Sequence, residues 1–234
     1  MEGLKFFTDK TVINDYLLIK IVDYIKMKDF SPWQEVYIDP GIWDLKKSDS
    51  FKWEGTINID DFLYSLPDNH YFSWDYPPGL NELYTELFIE KTWANANLYN
   101  NHSQYIVTVQ SKFNNYISFK EQFDRFNTLY IASGIIAIGM GRFKFLTEYL
   151  KHALDYAFSH CKHSRIHIYG LCLRAIPYAY KLSQKFDNEL SVDSTKWTRA
   201  CTNKLKLKYG LNCSNTNRQE FFDEYKKEIE VRIK

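Results

Sequence analysis

Tyr105-Ile106-Val107-Thr108-Val109-Gln110 is a run of apolar and β-branched residues that ends on a single amide. A short run of this kind reads as a strand buried on both faces of a parallel sheet. Helical periodicity stands on either side of it. Residues 80–99 follow the turn Pro77-Pro78-Gly79, which starts a helix cleanly, and residues 118–126 form a short helix with Ser118 as its expected cap. Helix, strand, helix in this order implies parallel pairing, because helix-length crossovers return the chain to the same end of the sheet.

The same alternation recurs outward in both directions. Strands are expected at 4–7, 36–39, 71–75, 130–134, 166–171 and 190–193 as well as at 105–110. Residues 11–27 place Ile13, Leu17, Ile21 and Tyr24 near one helical face, and 143–158 place Leu146, Leu150, Ala153 and Leu154 on another. Seven strands alternating with helices favour an α/β fold of the TIM-like (β/α)8 barrel type over an open doubly wound sheet. A full barrel usually takes about 250 residues, so this one is expected to be trimmed or incomplete. The remaining candidate for an eighth strand, Leu205-Lys206-Leu207-Lys208-Tyr209, alternates but carries lysines that a doubly buried strand excludes. A missing eighth strand leaves an edge that a second copy would cover, so a homodimer is expected. The expected division is a barrel catalytic domain over 1–197, with a basic segment and C-terminal helix over 198–234 that complete it.

At 234 residues and 45% hydrophobic, the chain has enough apolar material for one buried core. Thirty basic residues against twenty-nine acidic ones give a net charge of +1, so any hold on nucleic acid must be local rather than global. Met1-Glu2-Gly3-Leu4-Lys5-Phe6-Phe7 lacks a secretory pattern, and no run approaches the ~18 apolar residues of a membrane span. A cytoplasmic protein with no membrane partner is expected. The four cysteines show no Cys-x-x-Cys spacing; Cys161-Lys162-His163 is the nearest approach to a ligand pair, and neither a metal nor another cofactor is expected.

In barrels the chemistry sits at the C-terminal ends of the strands. Asp39, Asp75, Gln110 and Asp193 end four of the expected strands. Each also has a local explanation. Asp39 before Pro40-Gly41 suits a turn, Asp75 before Tyr76-Pro77-Pro78 and Asp193 before Ser194-Thr195 suit helix caps, and Gln110 suits a surface amide. A single barrel mouth would collect all four.

From Tyr37 to Trp197 these endings resemble, in order, the motifs of the tRNA-guanine transglycosylases, the queuine and archaeosine tRNA-ribosyltransferases. Asp39-Pro40-Gly41-Ile42-Trp43 resembles the family's acid/base strand end, Asp75 its base-reading carboxylate, and Gln110 the amide that ends its Val-rich strand. Tyr130-Ile131-Ala132-Ser133-Gly134-Ile135-Ile136-Ala137-Ile138-Gly139 resembles its Tyr-Ala-Ile-Gly-Gly-Leu-Ala-Val-Gly element, with Ser133 in place of the first paired glycine. Tyr169-Gly170 stands where a side chain lies against the base, and Asp193 where the family has its nucleophile. The context Val192-Asp193-Ser194-Thr195-Lys196-Trp197 looks more like the viral and DNA-modifying deazapurine branch. The Cys-x-Cys-x-x-Cys zinc subdomain of the family is missing, and no C-terminal RNA-binding domain is expected.

The resemblance implies a virus-type enzyme, acting in a host cytoplasm, that exchanges guanine for a 7-deazapurine in tRNA or DNA. Asp193 would be the nucleophile and Asp39 the general acid/base. Asp75 and Gln110 would read the base edge, the Gly134 amide would meet its carbonyl, and Trp43 and Tyr169 would sandwich the ring. Lys196, Arg199, Lys204, Lys206 and Lys208 would hold phosphates, although a solvated helix face explains them equally well. Two alternatives stay open: a catalytically silent relative that binds deazapurine or nucleic acid, and a hydrolase of small nucleosides.

Overall fold

The computed structural model describes residues 4–10, 12, 14–41, 53–77, 85–140, 145–193 and 217–233. Trp43, the basic residues Lys196, Arg199, Lys204, Lys206 and Lys208, and the strand considered at 205–209 lie outside the described residues. The chain is a mixed α/β fold. Its strands are β1 Leu4–Phe7, β2 Tyr16–Lys20, β3 Glu35–Asp39, β4 His70–Phe72, β5 Val107–Val109, β6 Ile135–Gly139, β7 Arg165–Tyr169 and β8 Glu189–Asp193. The described helices are α1 Ile21–Tyr24, α2 Ile59–Ser65, α3 Thr85–Tyr99, α4 Tyr116–Asn127, α5 Glu148–His160, α6 Ile176–Phe186 and α7 Arg218–Ile233. None of them is long and apolar enough to cross a membrane.

Every strand pairing is parallel. Five strands form one sheet in the order β1-β8-β7-β6-β5, and three form another in the order β2-β3-β4. Single parallel bridges join the sheets at two places. Thr8 meets Leu17 just beyond β1, and Phe72 of β4 meets Tyr105 just before β5. Main-chain bonds hold both seams, with Leu18 N donating to Thr8 O at 2.7 Å and Phe72 N donating to Gln104 O at 2.8 Å.

Three local expectations are corrected. Residues 11–27 supply strand β2 rather than a single helix. Tyr16-Leu17-Leu18-Ile19-Lys20 is apolar enough to satisfy either period, and its alternating burial settles it as a strand: Leu17 and Ile19 are buried, with half-buried residues between them. That strand meets the end of β1 through the Thr8–Leu17 bridge. The strand expected at 130–134 lies at Ile135–Gly139 instead. Gly134 has φ +68°, a left-handed conformation that ends extended chain before the Ile135-Ile136-Ala137-Ile138 run begins. Finally, α4 is capped by Asn115, whose side chain accepts from Ser118 N at 2.9 Å, rather than by Ser118.

Strand alternation separates two cores. Outward-facing Leu17, Val36, Ile38, Val107, Ile136, Ile168 and Val192 pack against the helices in the larger cluster. The C-terminal helix α7 closes over β1, with Phe222 and Tyr225 against Phe6 at centroid distances of 5.9 and 5.5 Å. On the other face, Phe7, Tyr37, Ile106, Ile135 and Ala137, drawn from both sheets, share one inner cluster.

Below that inner cluster, at the N-terminal ends of the strands, lies a network of charges. Arg165 donates from Nε to Glu189 at 2.6 Å and from Nη1 to Glu35 at 2.7 Å, and Lys5 bridges the same two carboxylates. Arg165 also reaches the Tyr37 hydroxyl at 3.0 Å, and its side chain is only 10% exposed. Arg165→Ala would leave two partly buried carboxylates facing one lysine. Such a loss typically costs about 3–5 kcal/mol, and it should appear as a lower urea midpoint. A change under about 1 kcal/mol would mean that the network does not tie the two sheets together.

Candidate active site

Because all the strands are parallel, their last residues gather at one end of the molecule. Asp39 ends β3, Gly139 ends β6, Tyr169 ends β7 and Asp193 ends β8. Gln110 follows β5 directly, and Asp75 lies on the segment just beyond β4. That segment is pinned at several points. Trp74 O accepts from Asn95 at 3.2 Å and from Tyr105 at 3.3 Å, while Tyr76 N donates to Thr92 at 2.8 Å. Asp75 is held there 4% exposed.

The hydrogen bonds pair these groups across strands. Gln110 Nε2 donates to Asp75 Oδ2 at 2.5 Å, joining the end of β5 to the segment after β4. Gly170 N donates to Asp193 Oδ1 at 2.9 Å, joining β7 to β8. Gly170 has φ +65°, a left-handed conformation that suits a glycine where the chain turns away from β7. The Tyr169 hydroxyl donates to Ser73 Oγ at 3.2 Å. Asp39 Oδ1 accepts from Gly41 N at 2.7 Å, so its turn chemistry is real and coexists with its place at the mouth. Trp53 fixes the exit of β3 by donating its ring N–H to Pro40 O at 2.8 Å.

The electrostatics confirm that these groups share one region. Burial pushes the Asp75 carboxyl up to about 7; the Gln110 amide works against that rise and the nearby Asp39 charge adds to it. Burial raises the Tyr169 phenol well above its ordinary range, and Asp75, Asp193 and Asp39 all push it further. Of the residues singled out in the sequence, Asp39, Asp75, Gln110, Tyr169, Gly170 and Asp193 are therefore brought together.

Ser133 and Gly134 are not. They precede β6 and stand at the opposite end of the strands from Asp193. Ser133 Oγ donates to Tyr105 O at 2.7 Å, and a Cβ on Gly134 would fall 2.6 Å from Ser164 Oγ, so both serve a tight turn rather than a base. The glycine of that segment that reaches the mouth is Gly139, which is exposed. A Cβ there would lie 3.4 Å from Gln110 Oε1, so its absence leaves room beside the amide.

Sequence reasoning missed three further residues. Ser73 is buried beneath Tyr169, and Gly139 was passed over with the misplaced strand. His167 is fully buried on the inner face, with Nδ1 3.0 Å from Ser191 Oγ and Nε2 3.6 Å from Asp193 Oδ1. The signal was present in Arg165-Ile166-His167-Ile168-Tyr169, where polar side chains recur with the period of a strand. Among the described residues no group of three or more His, Cys, Asp or Glu could hold a metal ion. Family models and curated proteins give no match to this sequence.

The Asp75 environment has a thermodynamic signature. Its folded pKa of about 7 exceeds the ordinary 3.8, so the native state binds the extra proton between those values. The stability it confers is complete below the lower value and is lost as pH rises through about 7, by up to ~1.4 kcal/mol per pH unit. Asp75→Asn imitates the protonated acid. Its thermal midpoint should exceed that of wild type near pH 8 and match it near pH 4. Equal midpoints for the two proteins near pH 8 would place the carboxylate in a solvated setting.

Proposed function

We propose that the chain is a (β/α)8-barrel transglycosylase that exchanges guanine for a 7-deazapurine base in nucleic acid, tRNA or DNA. What carries the proposal is the convergence of Asp39, Asp75, Gln110, Tyr169 and Asp193 at one end of eight parallel strands, with the carboxylates in different settings. Support for the barrel comes from the two bridges, which bring the edges of the five- and three-stranded sheets together. Chemistry at the C-terminal ends of the strands is what that architecture favours.

The contacts support a division of labour among these groups. Asp193 has one oxygen held by the Gly170 amide, and its other oxygen, Oδ2, accepts no bond from the described residues. Oδ2 attacks C1′ of the target nucleotide. The bond from C1′ to the base nitrogen breaks, its electron pair leaves with the base, and Asp39 supplies the proton that neutralises it. In the second half the incoming base gives its proton to Asp39 and forms the new bond to C1′. The Oδ2–C1′ electron pair then returns to the carboxylate. Acid/base assistance of this kind typically contributes about 10²–10⁴ in rate.

Asp75 and Gln110 suit the edge of a guanine-like base. Ionised Asp75 accepts from a ring N–H and an exocyclic amine, while Gln110 both donates and accepts. The buried carboxyl of Asp75 is close to half-protonated at neutral pH, so a ligand bearing donors completes its ionisation rather than opposing it. Polymer phosphates would be met by Lys196, Arg199, Lys204, Lys206 and Lys208, which follow the nucleophile directly in sequence.

Incorporation of labelled guanine into tRNA and into duplex DNA, compared between wild type and Asp193→Ala, tests this. We expect incorporation into one polymer and a fall of at least about 10³-fold in the variant. Release of base from a free nucleoside, without exchange, would replace the proposal with a nucleosidase. Base binding with neither reaction would leave a silent binder. Asp75→Asn should weaken guanine at least about tenfold while leaving polymer affinity unchanged, since it removes a charge-assisted contact to the base alone. Equal losses for the two ligands would make Asp75 structural.

A further inference from the structure

His167 sits one inward-facing position below the mouth on β7, opposite Ser191 of β8. It is completely buried, with Phe7 and Tyr169 edge-on to its ring and Tyr37 tilted against it, at centroid distances of 5.7, 4.5 and 4.8 Å. Nδ1 lies 3.0 Å from Ser191 Oγ. Among the described residues Nε2 has no hydrogen-bond partner within bonding distance, yet it lies 3.6 Å from Asp193 Oδ1. A buried donor left in this state costs free energy, and a shift of a few tenths of an ångström satisfies it.

The geometry points to His167 as a positioning residue for Asp193: Ser191 Oγ–H donates to Nδ1, and the imidazole Nε2–H donates to Asp193 Oδ1. Gly170 N and His167 Nε2 then hold the same carboxylate oxygen from two sides, and Oδ2 is left to face the mouth. In the glycosyl ester both donors rest on its carbonyl oxygen. When the incoming base displaces the ester, negative charge returns to that oxygen where two donors already wait. The charged groups around the ring are Asp193 from β8, Arg165 from its own strand and Glu35 from β3. Burial depresses the imidazole below its ordinary 6.5, against an opposing pull from Asp193, so the neutral form is the one that occupies the site. The catalytic half of this inference rests on the transglycosylase proposal; the pairing of His167 with Asp193 does not.

The test has two arms on the full-length protein. Nitrogen-15 NMR of the six histidines, with His167 assigned by loss of its signal in His167→Gln, reads the tautomer directly. A neutral Nε2–H form whose proton shift moves in Asp193→Ala is expected. A neutral Nδ1–H form, or no response to Asp193→Ala, overturns the pairing. In the exchange assay, His167→Gln keeps a neutral donor of similar reach and should stay within about threefold of wild type. His167→Phe should lose about tenfold or more in kcat with the base KM unchanged, and its acid limb should move to higher pH. Parallel loss in both variants, with an unshifted pH profile, would reduce His167 to packing and overturn the positioning role. Absence of any exchange in wild type would remove the transglycosylase proposal while the NMR arm still decides the pairing.

Discussion

Arg165 stands where the two sheets need a common fixed point. Its guanidinium binds Glu189 on the neighbouring strand and Glu35 across the inner space, on the other sheet. Ion pairs withdrawn from water contribute little net stability, because desolvation offsets their attraction. Their effect is on register. A slip of one residue in β7 would carry Arg165 to the face where Ile166 and Ile168 pack among helices, with no carboxylate to meet it. The interaction therefore excludes alternatives more than it lowers the energy of the native state.

Once that register is fixed, the period of two places everything above it. On β7 the inner face runs Arg165, His167, Tyr169; on β8 it runs Glu189, Ser191, Asp193; on β3 it runs Glu35, Tyr37, Asp39. Each series passes from the ion network, through a layer with Phe7 stacked on Tyr37 at 3.9 Å, to the mouth. The carboxylates of the mouth are held apart from the charges of the floor by that aromatic layer. Such separation explains how one inner space carries a paired network at one end and an acidic site at the other. The acidic end relaxes its own repulsion through Asp75, whose buried carboxyl retains a proton into the neutral range.

Much of this order was legible in the chain because parallel strands announce their ends. β1, β3 and β8 were found to within a residue, since an apolar run that stops at Asp39 or Asp193 marks both the strand and its polar terminus. Two strands were not legible, for different reasons. Residues 130–139 are apolar almost throughout, so only the conformation of Gly134 shows where extension begins. Tyr16–Lys20 lies in a stretch whose spacing suits a helix as well as a strand, and its pairing with β3 decides the matter through contacts distant in sequence. His167 was passed over for a third reason, although its spacing with Arg165 and Tyr169 marks one face of a strand. A single imidazole among isoleucines looks like an ordinary core residue until the partners on its inner face are known.

The displacement of β6 changes how a base would be read at this mouth. With Gly134 at the far end of the strands, its amide cannot meet the carbonyl of a purine held between Asp75 and Asp193. Gly139 stands at that end instead, and its missing side chain leaves space beside Gln110. On the proposed reading a base seated there would meet Asp75 and Gln110 along one edge, with the hydrogen bond between the two fixing how the amide is turned. Under the proposed function, Gln110 would be the pivot of base recognition. It spends one donor on Asp75, and its carbonyl oxygen and second N–H would then offer a ligand one acceptor and one donor in a fixed order. That order suits bases that offer a donor next to an acceptor, as the guanine edge does, and it is set by a protein–protein hydrogen bond before any ligand arrives.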